Sequence, residues 1–149
     1  MSDPAGWPDL AGRIAGQSHR LPVRVYFEDT DFSGLAYHGS FVRWCERGRS
    51  DWLRLLGVHH HELISGTEPA AFVVRRLTID YLKPARIDEV LEVVTALADL
   101  TTATLTLDQT VVRDGLALAK AQVLVVLVSK RGRPMRLPEK VRTTLRAGG

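Results

Sequence analysis

The chain of 149 residues has one cysteine, Cys45, so it can close no disulfide within itself, and a reducing cytoplasm is the expected setting. No apolar run approaches the roughly 18 residues of a membrane-spanning helix. No basic region followed by an apolar stretch opens the chain, so a secretory leader is not expected. Spaced metal-ligand sets are missing too. His59, His60 and His61 are adjacent, and neighbouring side chains cannot all point at one ion, so they are expected to cap and follow a helix. A G-x-S-x-G nucleophile elbow is absent. Aromatics make up 7% of the chain and do not interleave with the basic residues, which argues against nucleic acid as a partner.

Acidic residues are scarce in one region only. Among residues 130–149, Glu139 stands against seven cations: Lys130, Arg131, Arg133, Arg136, Lys140, Arg142 and Arg146. That end carries +6 of a net charge of +3, leaving −3 for the rest. Such a cluster suits phosphates, an acidic carrier protein or an anionic surface, or else a solvated helix face.

What is present is the composition of an ordinary globular domain, 45% hydrophobic and 25% charged, long enough to bury a core. Residues 1–20, rich in Gly, Ala and Pro at the start and without periodicity, are expected to be a flexible tail, and 21–149 a single domain. "LPVRVYFED" alternates from Leu21 to Asp29 and predicts a strand. A helix is predicted from Tyr37 or His38, with Phe41, Cys45, Gly48, Trp52, Leu55 and Leu56 on one apolar stripe and Gly57 at its end. Gly48 in mid-stripe suggests another backbone passing close by. Four long strand-like runs then cover residues 71–85, 89–100, 101–115 and 116–130, with Asp114-Gly115 marking a hairpin. A short helix over Arg142–Arg146 is expected to close the chain. One apolar helix against about five antiparallel strands predicts a two-layer α+β domain. A single helix covers one face of such a sheet only partly, so an oligomer is expected.

The bend between the first strand and the helix gathers Asp29, Asp31, Ser33, Gly34 and His38. A helix start offers unpaired N–H groups and a partial positive charge, suited to a carbonyl oxygen becoming an anion. A carboxylate facing it can serve as base or nucleophile. Together they suggest acyl transfer to water. Asp29 and Asp31 would face the same way in a strand, so the residues leave the choice between them open, with Asp31 favoured as nearer the helix start. The bland alternative is that both cap the helix or pair with Arg43. A Cys45–His38 pair is rejected, because seven helical residues span about 10 Å. A Ser–His–Asp triad from Ser33 or Ser40, His38 and Asp31 is disfavoured by its tight local spacing.

These residues also carry a resemblance. "EDTDFSGLAYHGSFVRWCERGRSDWL", with Asp29-Thr30-Asp31, Gly34, Tyr37-His38, Glu46 and Arg49, resembles the hot-dog-fold acyl-CoA thioesterases of the YbgC type. That group is linked to the bacterial Tol-Pal gene cluster and related to the 4-hydroxybenzoyl-CoA thioesterases. "IDYLKPARIDEVLEV" and "GRPMRLPEKVRTTL" resemble further parts of its pattern, and the likeness covers about residues 21–146. It implies a sheet wrapped around one long central helix, assembled as a homodimer or homotetramer. Asp31 would be the catalytic carboxylate, and the His38 N–H would polarise the thioester carbonyl. The Tyr37 and His38 side chains would line the pocket, with Gly34 and Gly39 shaping the backbone around the substrate. Coenzyme A would enter as part of the substrate, with no bound cofactor. Arg75, Arg76, Lys83, Arg86, Lys130, Arg131 and Arg133 are candidates for its phosphates, and an acyl carrier protein is a further possible partner. Phe27 stands where many members have Tyr. A non-catalytic acyl-CoA-binding module and a hot-dog enoyl-CoA hydratase are the alternatives.

Overall fold

The computed structural model describes residues 7–65 and 68–148. Six strands form one antiparallel sheet: β1 (Arg13–Ala15), β2 (Ser18–Arg24), β3 (Ala70–Tyr81), β4 (Val90–Leu100), β5 (Thr104–Arg113) and β6 (Leu116–Ser129). Their order across the sheet is β1-β2-β4-β5-β6-β3, which leaves β3 on one edge. Helix α1 (His38–Leu55) packs against β2, β4 and β5, and the smaller α2 (His60–Ser65) and α3 (Glu139–Gly148) lie against β3 and β4.

The four long strands and α1 fall where the periodicity predicts. The N-terminal expectation needs correction. The strand expected from Leu21 begins at Ser18, and β1 lies inside the stretch read as a flexible tail. The pairing is local: Arg13 opposes Arg20, and the buried His19 ring sits with Nε2 2.6 Å from the Ala11 carbonyl. A three-residue exposed strand has no alternation to reveal it, so the sheet has six strands rather than five. The His-rich segment, expected to cap and follow the helix, itself carries α2 from His60.

Phe41, Cys45, Gly48 and Trp52 of the expected stripe are buried, joined by Trp44 and Leu53, while Leu55 and Leu56 are half-buried. At Gly48 the close neighbours are side chains rather than a passing backbone. A Cβ there would lie 2.7 Å from Val93 Cγ1 and 3.3 Å from both Gln109 Nε2 and Thr95 Oγ1. The Gln109 amide N–H donates to the Cys45 carbonyl (2.8 Å) and the Thr95 hydroxyl (2.9 Å), and Arg49 donates to Gln109 Oε1 (3.3 Å). Apolar clusters lie beyond both ends of this polar layer. One, around Phe41, Trp44, Leu91 and Leu118, supports the helix start; the other, around Trp52, Leu105, Leu127 and Leu145, supports its end.

Candidate active site

The bend ahead of α1 folds into a tight reversal. A 3-10 turn over Phe27–Asp29 leads into residues 29–31, which run antiparallel to 35–37. Tyr37 N–H donates to the Asp29 carbonyl (2.8 Å), Thr30 bridges to Ala36, and Asp31 N–H donates to the Leu35 carbonyl (3.1 Å). Gly34 turns the corner at φ +81°, with open space where a Cβ would stand, so the requirement for glycine is conformational.

The two aspartates that sequence alone leaves in competition have different fates. Asp29 is buried, and its carboxylate accepts the Tyr26 N–H at 2.9 Å. Its carbonyl takes both the Tyr37 N–H and the Ser40 hydroxyl (2.8 Å). Asp29 therefore ties the bend to the helix through its backbone carbonyl, while its carboxylate neither caps α1 nor pairs with Arg43. Asp31 is exposed. Its Oδ1 accepts the Ser33 N–H (2.8 Å) and the Ser33 hydroxyl. These hydrogen bonds from Ser33 hold its carboxyl below the usual aspartate range, so it is ionised at neutral pH.

The helix start is open. Tyr37 occupies the N-cap position and makes no side-chain cap. Ser40 N–H donates to the Tyr37 carbonyl (2.9 Å), and its hydroxyl is spent on Asp29. Among the described residues, the N–H groups of His38 and Gly39 have no acceptor. The Tyr37 ring lies across Gly39, where a Cβ would come within 2.7 Å of it, and packs against the His38 ring at a centroid distance of 4.2 Å. Cys45, one side of the rejected pair, is buried, and burial pushes its thiol up to about 11.

Beside Asp31 lies a hollow of about 430 Å³ lined by Phe27, Thr30, Asp31, Phe32, Gly34 and Ile87. Phe32 is fully exposed and Phe27 is 81% exposed, and both present bare rings to this hollow.

The cations predicted for phosphate contact do not gather in one place. Lys83 follows β3, its N–H on the Leu118 carbonyl, and Arg86 bridges to Leu35 in the reversal itself. Arg75 and Arg76 sit at a bulge midway along edge strand β3. Lys130, Arg131 and Arg133 follow Ser129, which opposes Ala70, whereas the helix start lies near Tyr81, which opposes Ala119. Ten residues of strand separate those two pairings, roughly 30 Å at strand rise. Within one chain Lys130, Arg131 and Arg133 are thus remote from Asp31. Sequence reasoning missed Tyr81, whose hydroxyl donates to the His38 carbonyl (2.9 Å), and Ser33 as the partner of Asp31. The nearness of Ser33 in sequence could have signalled the second; nothing in the strand pattern signals the first.

A family model described as the thioesterase superfamily matches residues 33–120. The chain belongs to the thioesterase superfamily. It is 40% identical to the acyl-CoA thioester hydrolase YbgC of Escherichia coli O6:H1 over 126 residues, 82% of this chain and 91% of that protein. It is 38% identical over 123 residues to the acyl-CoA thioesterase YbgC of Haemophilus influenzae, covering 82% of this chain and 90% of the relative. Among solved structures, a probable thioesterase from Bartonella henselae superposes with a TM-score of 0.79 at 38% identity, over 81% of this chain and 99% of that one. This thioesterase-superfamily chain has the expected α+β hot-dog fold, with the open start of α1 and its Asp31 at one end. The family match begins at Ser33, so the reading of Asp31 rests on the geometry of the turn.

Proposed function

We propose that this protein hydrolyses acyl-CoA thioesters to the free acid and coenzyme A thiol, with Asp31 as the catalytic carboxylate and the N–H groups of His38 and Gly39 as the oxyanion site. The observation that carries this is the pairing on one short segment of an exposed, ionised carboxylate and an uncapped helix start. The superfamily membership and the named activity of the YbgC relatives support the same reading. Asp31 either removes a proton from water as it attacks the carbonyl carbon, or attacks that carbon itself to give a mixed anhydride that water then opens. In both routes the carbonyl oxygen takes up negative charge, which the N–H groups and the helix dipole stabilise. The C–S bond then breaks, and the thiolate leaves and takes up a proton. The scheme uses no metal or bound cofactor.

Tyr37 and His38 would flank the acyl group, and Lys83 and Arg86 are the cations best placed for coenzyme A phosphates from the same chain. We assign Arg75, Arg76, Lys130, Arg131 and Arg133 to such contact only across a subunit pair. Edge strand β3 exposes Val73 and Val74 beside unpaired backbone, which supports a homodimer through that edge, or a homotetramer built from it. The basic C-terminal end suits an acidic acyl carrier protein. The lone unpaired cysteine favours a cytoplasmic location, and a link to Tol-Pal follows from the family likeness alone. Among the described residues no helix is long and apolar enough to cross a membrane.

The test is Asp31→Asn assayed by thiol release across acyl-CoA lengths. A kcat reduced by on the order of 10² or more, with the melting temperature retained, is expected. Near-full turnover would end the assignment.

A further inference from the structure

We infer that Tyr81 is a positioning residue for the hydrolysis, its hydroxyl fixing and polarising the peptide unit that carries the Gly39 N–H; this rests on the oxyanion role proposed above. The hydroxyl donates to the His38 carbonyl oxygen at 2.9 Å. That carbonyl and the Gly39 N–H belong to the same peptide group, so a donor on the oxygen draws electron density from the nitrogen end. The N–H becomes a stronger donor toward whatever sits ahead of the helix.

Ordinary satisfaction of polar groups does not require this hydrogen bond. His38 is the first residue of α1, so helix geometry places its carbonyl to accept the Val42 N–H four residues on. What the helix start lacks is acceptors for its N–H groups, and a phenol set against the carbonyl supplies none. The contact adds a second donor where one suffices and leaves the N–H side open.

Tyr81 is itself held firmly. It ends β3 opposite Ala119, and the next two N–H groups, of Leu82 and Lys83, both donate to the Leu118 carbonyl (2.8 and 3.1 Å). Its ring stands edge-on to Phe41 at a centroid distance of 5.5 Å and to His38 at 6.2 Å. Phe41 is a buried core residue one turn into the helix. The sheet edge thus sets the height and tilt of the first helical peptide through a single side chain.

Tyr81→Phe removes only the hydroxyl and keeps both ring contacts. We expect kcat on acyl-CoA to fall about 3- to 10-fold with KM within about twofold, less than the loss of a direct oxyanion donor. The Gly39 amide proton should move upfield in a ¹H–¹⁵N spectrum as its N–H weakens as a donor. 3-Fluorotyrosine at position 81, a stronger donor of the same shape, should hold kcat at or above the native value at pH 7. An unchanged kcat in Tyr81→Phe, a change in KM alone, an unshifted Gly39 amide, or a fluorotyrosine variant as slow as the Phe variant overturns the inference. So does a loss of rate that merely tracks a fall in melting temperature. Asp31→Asn run alongside separates the two claims: a slow Asp31→Asn with a native-like Tyr81→Phe sinks only the role of Tyr81. An active Asp31→Asn sinks the assignment of Asp31, and a native protein that releases no thiol from any acyl-CoA sinks the hydrolytic reading beneath both.

Discussion

The two ends of α1 are built to opposite specifications. At the C-terminal end the carbonyls are taken. Gly57 N–H donates to the Arg54 carbonyl (3.0 Å) and Val58 N–H to the Leu53 carbonyl (2.9 Å), with Gly57 at φ +84°. This is the paired Schellman pattern, completed by Leu53 and Val58 in one apolar cluster. At the N-terminal end a tyrosine sits where Ser, Thr, Asp or Asn would cap, the nearby Ser40 hydroxyl is spent on the Asp29 carbonyl, and the buried Asp29 carboxylate accepts the Tyr26 N–H of its own turn. One end is closed for stability, and the other leaves the His38 and Gly39 N–H groups without an acceptor among the described residues.

After Asp31→Asn, the sharpest way to break this contrast is to cap the open end. Tyr37→Ser places a hydroxyl where it can accept the Gly39 N–H, the second of the helix. A cap is worth about 1 kcal/mol, so the variant should melt no lower than the native protein despite losing a half-exposed ring. Its kcat should fall by about tenfold or more, because the substrate carbonyl now competes with an internal acceptor. Thiol-release kinetics and thermal melts on the same preparations decide it. A capped variant with native kcat would show that the open N–H groups do not face the substrate.

The converse change is made at the closed end. Gly57→Ala forces a Cβ into a left-handed conformation at a position with free space around it, so the penalty is conformational, about 1 kcal/mol. A fall in melting temperature of about 2–4 °C with unaltered kcat is expected. A change in kcat here would mean that the two ends are coupled rather than separately specialised.

Much of this division could be read from the sequence because it lies in local patterns. The 3.6-residue stripe through Phe41, Cys45 and Trp52, the glycine at 57 and the long β-branched runs each carry their own signal, and α1 and β3 to β6 appear close to where they predict. β1 escaped because three exposed residues held by a pairing have no periodicity. The choice between Asp29 and Asp31 also escaped, since two residues of the same kind and nominal facing differ only in what surrounds them once the chain has turned back at Gly34. The seven cations were visible as charge, but their separation into a near pair, a mid-strand pair and a remote group depends on β3 and β6 running antiparallel over ten residues. Tyr81 meets His38 across 43 positions of sequence, a distance no spacing rule spans.

The smallest expected effect concerns Ser33, and it probes what keeps Asp31 ready. Two hydrogen bonds from Ser33 favour the ionised carboxyl and hold it below the ordinary aspartate value near ~4. The carboxyl is therefore ionised at neutral pH, and if it is the catalytic group the acid limb of kcat/KM should lie lower than an unassisted aspartate would give. Ser33→Ala removes the hydroxyl but keeps the backbone N–H, so the folded-state value rises and the acid limb moves to higher pH. At pH 7 the carboxyl remains ionised in both proteins and the rates should nearly coincide. Because a less assisted carboxylate is also a better base, kcat on the neutral plateau should hold or rise slightly if Asp31 activates water. Profiles of kcat/KM from neutral to acid pH for the two proteins make the comparison, and a limb that does not move would place the titration on some group other than Asp31.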